Sequence, residues 1–172
     1  MLFDLPEPRK GTSVAGVHGP RAGTHSWITP RHIVEALGPF DLDPCQCDPQ
    51  PWPCAARGYV LPVDGLNEPW RGRVWLNPPY SIHASAWLAK LARHGRGTAL
   101  IFARTETEMF FEHVWPLAHA ICFLEGRLHF HYPNGQRAAA NAGGPSCLIA
   151  YGPEMAHRLT HSTIKGFHLL LK

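Results

Sequence analysis

Two hydrophobic patterns recur along the chain. The first is the short continuous apolar run, the mark of a strand buried on both faces. Thr98-Ala99-Leu100-Ile101-Phe102-Ala103, Ala120-Ile121-Cys122-Phe123-Leu124 and Cys147-Leu148-Ile149-Ala150-Tyr151 are such runs. Val74-Trp75-Leu76 is a shorter one. Phe40 and Leu42 alternate with Asp41 and predict a strand that stops at Asp43, before Pro44. Tyr59-Val60-Leu61 predicts a brief strand, and Phe167 to Leu171 an edge strand. The second pattern has helical spacing. Ile33, Val34 and Leu37 predict a helix over 30–37, with Thr29 as N-cap, Pro30 as first residue and Gly38-Pro39 as stop. Ile82, Ala86, Leu88, Ala89 and Leu91 predict a helix from a Ser81 cap to about residue 93. Met109, Phe110, Val114 and Trp115 predict one over 107–115, and Met155 to Leu159 a short one.

Strands alternating with helices predict an α/β doubly wound sheet, mixed because the late strands follow hairpin-like connections. Residues 46–58 carry Pro49, Pro51, Pro53 and Gly58, so no long crossover helix fits there. The Gly-, Asn- and Ala-rich stretch 133–145 predicts a mobile loop. Residues 1–24 show no periodicity and carry Arg9, Lys10 and Arg21 among prolines and glycines. They read as a flexible basic segment before a single domain over 25–172.

Composition narrows the class. A chain of 172 residues suits one domain with a sizeable core. No apolar run reaches membrane-spanning length, and the first residues lack a signal-peptide core, so a cytoplasmic protein is expected. The net charge is only +3, but 12 histidines can add positive charge on an acidic surface such as DNA. Five cysteines without an export signal read as reduced thiols. Cys45, Cys47 and Cys54 could be zinc ligands with His32, although their spacing is not a common zinc pattern. Small buried or loop cysteines are the simpler reading, and no metal is expected.

The chemistry concentrates after the Val74–Leu76 run, at Asn77-Pro78-Pro79-Tyr80. Prolines cannot donate to a sheet ladder, so the strand ends there and leaves with two fixed φ angles. Asn77 and Tyr80 are thereby held in a set relation. The Asn77 amide oxygen and the Pro78 carbonyl can accept hydrogen bonds from an exocyclic amine, and a tyrosine ring can stack on a flat heterocycle. Together they would grip an amino-purine or amino-pyrimidine. Asp43 ends the preceding strand, on the edge where open α/β sheets bind ligands, and can accept bonds from hydroxyls or an ammonium. The Gly-rich loop usual after such a strand is absent; Gln46, Cys47, Asp48 and Pro49 stand there. Arg104, Arg127 and Arg137 fall in predicted loops and could meet phosphates or base edges.

In order along the chain come Trp27-x-Thr29-Pro30, Phe40-x-Leu42-Asp43, Tyr59, Asp64-Gly65-Leu66, Trp70, Asn77-Pro78-Pro79-Tyr80 and Trp87. This set resembles the phage-type N6-adenine DNA methyltransferases, close to the Dam-like enzymes. The resemblance continues through Gly126-Arg127-Leu128-x-Phe130 and Ser146-Cys147-Leu148-Ile149, and so covers most of residues 27–152. It implies a Rossmann-like methyltransferase fold, S-adenosylmethionine as cofactor, DNA as partner, and a phage or restriction-modification setting. It implies that Trp27, Thr29 and Pro30 cradle the methionine end of the cofactor. Asp64, with Gly65 and Leu66, would serve its adenine, while Asp43, Pro44 and Asn77 complete the cofactor set. Asn77, Pro78, Pro79 and Tyr80 would be the catalytic residues, acting on N6 of a flipped adenine. Two alternatives stay open. One is an amino-methyltransferase for cytosine N4, RNA or a protein amide. The other is a non-enzymatic nucleic-acid-binding module, which the missing Gly-rich loop favours.

Overall fold

The apolar runs become the middle of a sheet. A computed structural model describes residues 27–79 and 84–172. Within it, β4 (Gly97–Phe102) and β6 (Ser146–Tyr151) lie side by side, antiparallel, with Gly97 opposite Tyr151 and Phe102 opposite Ser146. On one flank of β4 stand β3 (Val74–Leu76), β1 (Leu42–Asp43) and β2 (Arg57–Gly58), all parallel to it. On the far flank of β6 stand β5 (Ala120–Leu124) and β7 (Gly166–Leu170), each antiparallel to its neighbour. The order is β2-β1-β3-β4-β6-β5-β7. The α/β expectation holds, and so does the late antiparallel element.

Alternation along each strand serves two buried faces. Trp75, Leu100, Leu148 and Ala150 face one side, against α1 (Arg31–Leu37) and α3 (Pro153–Thr160). Val74, Leu76, Ala99, Ile101, Cys147 and Ile149 face the other, against α2 (Ala84–His94) and a π-helical turn at Phe110–Val114. The result is a sheet between two helical layers. β6 passes into α3 at Gly152, whose φ of 91° suits glycine, and Pro153 opens the helix.

The structure corrects several expectations. Thr29 does not cap α1. Pro30 holds that position with extended backbone, φ −53° and ψ 132°, and no side-chain cap bond forms. The cause is tertiary: Ile28 is tied into a two-bond bridge with His131, which keeps 27–30 extended. The brief strand falls at Arg57–Gly58 rather than 59–61, because the Ala56 and Tyr59 amides reach the Phe40 and Asp43 carbonyls. In α2, Ala86 is exposed and Trp87 takes the buried stripe with Leu88 and Leu91. The helix expected over 107–115 widens into a π turn, with the Trp115 amide bonded to the Phe110 carbonyl at 2.9 Å. The stretch expected as a mobile loop is docked by backbone bonds, among them from the Ala138 amide to the Phe130 carbonyl, from the Ala142 amide to the Leu128 carbonyl and from the Ala103 amide to the Pro145 carbonyl, with Ala138 and Ala142 buried. Their small side chains let the two backbones approach. The expectations for residues 1–24, Tyr80, the Ser81 cap and Ile82 lie outside the described residues.

Candidate active site

β1 and β3 are parallel neighbours, so Asp43 and Asn77 leave the sheet at the same edge. A cavity of about 370 Å³ opens there. Trp27, Pro44, Asp64, Gly65, Asn77 and Pro78 line it, with Pro79, Trp87 and the Cys45–Asp48 stretch. Seven of the expected cofactor or catalytic residues thus share one wall system: Trp27, Pro44, Asp64, Gly65, Asn77, Pro78 and Pro79.

Asn77 is fixed by a contact from far away in sequence. Its Nδ2 donates to the Trp27 carbonyl at 2.7 Å. A carbonyl can only accept, so the amide orientation follows from that bond. Its Oδ1 is then left buried and without a hydrogen-bond partner among the described residues. An orphaned buried acceptor is costly unless something else satisfies it. Here it sits in a residue that lines the cavity. The Trp27 segment is itself clamped. Ile28 bridges His131 with bonds of 2.9 Å in both directions, and Trp52 Nε1 donates to the Thr29 carbonyl at 3.1 Å. The Trp27 ring packs tilted against Tyr132 and Phe130.

Asp43 lies behind Pro44 and is only 4 % exposed. Its Oδ1 accepts the Cys45 amide at 3.0 Å, the bond of an Asp-Pro turn. Burial pushes its carboxyl up to about 7, against the opposing pull of the Cys45 amide and the Gln50 side chain. Asp43 therefore does not itself line the cavity; it shapes the turn that does. Burial also raises the Cys45 thiol well above its ordinary value, and the nearby Asp43 carboxylate adds to this. The Cys45 thiol is therefore neutral at physiological pH. Among the described residues no group of three His, Cys, Asp or Glu side chains is placed to hold a metal ion.

Asp64 sits on the opposite wall and is exposed. Its oxygens accept the Leu66 amide and the Asn67 side-chain amide, both at 2.9 Å. Gly65 must be glycine on steric grounds, since a Cβ there would meet the Pro44 carbonyl oxygen at 2.1 Å. That close approach closes the corner between the turn after β1 and the Asp64 turn. Lys90 of α2 then staples the turn. Its ammonium donates to the carbonyls of Glu68 at 2.6 Å and Leu66 at 2.7 Å, and lies 4.9 Å over the Trp70 ring. Trp70 Nε1 donates to the Gly65 carbonyl at 2.8 Å and stacks on Trp87. Lys90 reads in sequence as a basic residue near a helix end, and its role here is different. The only local hint is its position three residues after Trp87, on the same helical face.

The remaining candidates fall elsewhere. Thr29, Pro30 and Leu66 do not line the cavity. Leu66 belongs to the turn whose Asp64 and Gly65 line it, and Pro30 lines a second cleft together with Arg127 and Arg137. Arg104 is exposed beyond β4, with its guanidinium 5.8 Å from the Phe102 ring centre.

The family model of the DNA N-6-adenine-methyltransferase (Dam) family matches residues 16–164. That is most of the chain, and the protein belongs to this family. Its general activity is thus methylation of adenine N6, with DNA as substrate. Neither the curated proteins nor the solved structures contain a match. No helix among the described residues is long and apolar enough to cross a membrane.

Proposed function

We propose that this protein is an S-adenosylmethionine-dependent, site-specific DNA methyltransferase of Rossmann-like fold that acts on an adenine flipped out of the duplex. The observation that carries the reading is the buried, unpartnered Oδ1 of Asn77 in a cavity at the ends of β1 and β3. The cavity volume falls within the range of small-molecule sites. Trp27 offers it an aromatic edge and Asp64 a carboxylate. Pro44 and Gly65 form the corner between them. These residues would hold the cofactor, with Asp43 shaping the floor behind Pro44. Thr29, Pro30 and Leu66 would support them from behind.

S-adenosylmethionine, when bound, supplies an electrophilic sulfonium methyl group. Adenine N6 is a poor nucleophile because its lone pair is delocalised into the ring. Asn77 Oδ1 and the Pro78 carbonyl would each accept a hydrogen bond from one N6 N–H and draw the nitrogen toward tetrahedral geometry. The Trp27 carbonyl holds the Asn77 amide in the orientation this needs, so little reorganisation remains at the moment of reaction. The fixed φ angles of Pro78 and Pro79 keep the Pro78 carbonyl in place. No strong general base is needed, since proton loss can follow transfer. N6 cannot be reached inside a duplex, so the base must leave the stack. Tyr80, through the resemblance, is assigned to stack on it, worth on the order of 1–3 kcal/mol. Arg104, Arg127 and Arg137 are assigned to DNA contacts. A cytoplasmic site of action, in a bacterial or phage-infected cell, goes with this substrate.

The test is methyl transfer with isotopically labelled S-adenosylmethionine, followed by mass spectrometry of digested nucleosides. Label in N6-methyladenine is expected. Label in N4-methylcytosine or only in RNA would move the chain to another amino-methyltransferase. Absence of cofactor binding heat by calorimetry would leave a pure DNA-binding module.

A further inference from the structure

A second cavity among the described residues is larger than the catalytic one. A cleft of about 920 Å³ lies between α1, the segment after β5 and the segment before β7. Besides Arg31, which pairs with Glu35, its walls carry Arg127, Arg137 and Lys165, three cations from separate stretches of chain. None of them forms an ion pair among the described residues. The acids on the walls are Glu35 and Glu125, and Glu35 is already held by Arg31 at 2.6 Å. The cleft is therefore net positive. His131 lies within it, its imidazole pushed down by burial and then by the charges of Arg137 and His32.

The cleft shares a wall with the catalytic cavity. Trp27 lines one and Pro30 the other, three positions apart on the segment that Ile28 ties to His131. The wall is also the element that orients Asn77, through the Trp27 carbonyl, and it is bridged to the hairpin carrying Arg137. We infer that this cleft holds the phosphate backbone of DNA beside the flipped base, with Lys165 as a contact alongside Arg127 and Arg137. The inference rests on the proposed DNA methylation, but its test separates the two.

The experiment is fluorescence anisotropy of a fluorescein-labelled DNA duplex, titrated with the full chain at several salt concentrations. The triple variant Arg127→Gln, Arg137→Gln, Lys165→Gln should shallow the slope of log affinity against log salt by about 1 for each lost contact. Its heat of S-adenosylmethionine binding should be unchanged. Arg127→Lys with Arg137→Lys keeps the charges and should keep the slope. A wild-type slope in the triple variant overturns the cleft, and methylation by that variant shows that the enzyme reading survives alone. Equal losses in the Lys and Gln variants also overturn it, because charge is then not what binds. Binding of single-stranded RNA without duplex DNA overturns it as well. A salt-sensitive cleft in a chain that takes up no cofactor supports the cleft and removes the methyl-transfer reading.

Discussion

At the edge where β1, β3 and β4 begin, charged groups answer one another. Asp41 accepts the Arg73 backbone amide at 2.7 Å and its guanidinium at 3.1 Å. Glu154, in the first turn of α3, is met by Arg96 at 2.6 Å and Arg158 at 3.3 Å, with Arg73 at 3.8 Å. The Arg73 hydrogen bonds hold the Asp41 carboxyl below its usual range, and Arg96 does the same for Glu154. At the edge where the same strands end, the pattern reverses. Among the described residues Asn77 Oδ1 has no hydrogen-bond partner and neither Arg127 nor Arg137 forms an ion pair, while Asp43 is pushed up by burial. One edge spends its polar groups on itself and stabilises the sheet. The other satisfies Asp43 and Asp64 locally but leaves the buried Asn77 acceptor without a partner among the described residues, which costs stability.

Breaking the ligand edge should affect chemistry before folding. Asn77→Ala is expected to bind cofactor and DNA nearly as well as the wild type, yet to methylate about 10²–10³-fold more slowly. Single-turnover methylation beside calorimetry checks this. Full activity in Asn77→Ala would assign amine activation to another group and erase the contrast.

The pH response should have opposite sign at the two edges. The Asp43 carboxyl titrates at about 7 when folded, against an ordinary value of 3.8. Between those values the native state keeps a proton that the unfolded chain has lost, so its contribution falls as pH rises. Asp43→Asn should therefore flatten the stability profile across that window and raise the melting temperature at pH 8 by several degrees. Asp41 and Glu154 are depressed, so what they contribute is present above the ordinary carboxylate range and lost as pH falls below it. Thermal melts of wild type and Asp43→Asn across pH would show both limbs. An unchanged profile in Asp43→Asn would mean that Asp43 is solvated in solution.

The smallest effect is expected from the closed edge. Glu154→Gln removes part of a half-exposed network, worth on the order of 1 kcal/mol. That lowers the melting temperature by about 2–4 °C in a chain of this size. Methylation should be untouched. A loss of activity matching that of Asn77→Ala would show that the two edges are coupled through the sheet.

Local pattern determined much of this protein. Continuous apolar runs are buried on both faces, so they marked β3 to β6 without a structure. Parallel neighbours end at the same edge, which is why the strand ends at Asp43 and Asn77 could be placed on one edge of the sheet before their contacts were known. The tetrapeptide and its flanking residues carried the family in the same way. Tertiary structure decided the rest, and each case rests on a bond between distant segments. Ile28 pairs with His131, and so Thr29 lost its capping role. Asn77 meets Trp27 across 50 residues, and that contact sets which amide atom is free. Lys90 reaches the 65–68 turn rather than its own helix end, and Gly65 closes on Pro44. Asp43 moved behind the cavity because Pro44 and the Cys45 amide turn its carboxylate inward. Such contacts have no period in sequence, and they form only when folding brings their two segments together.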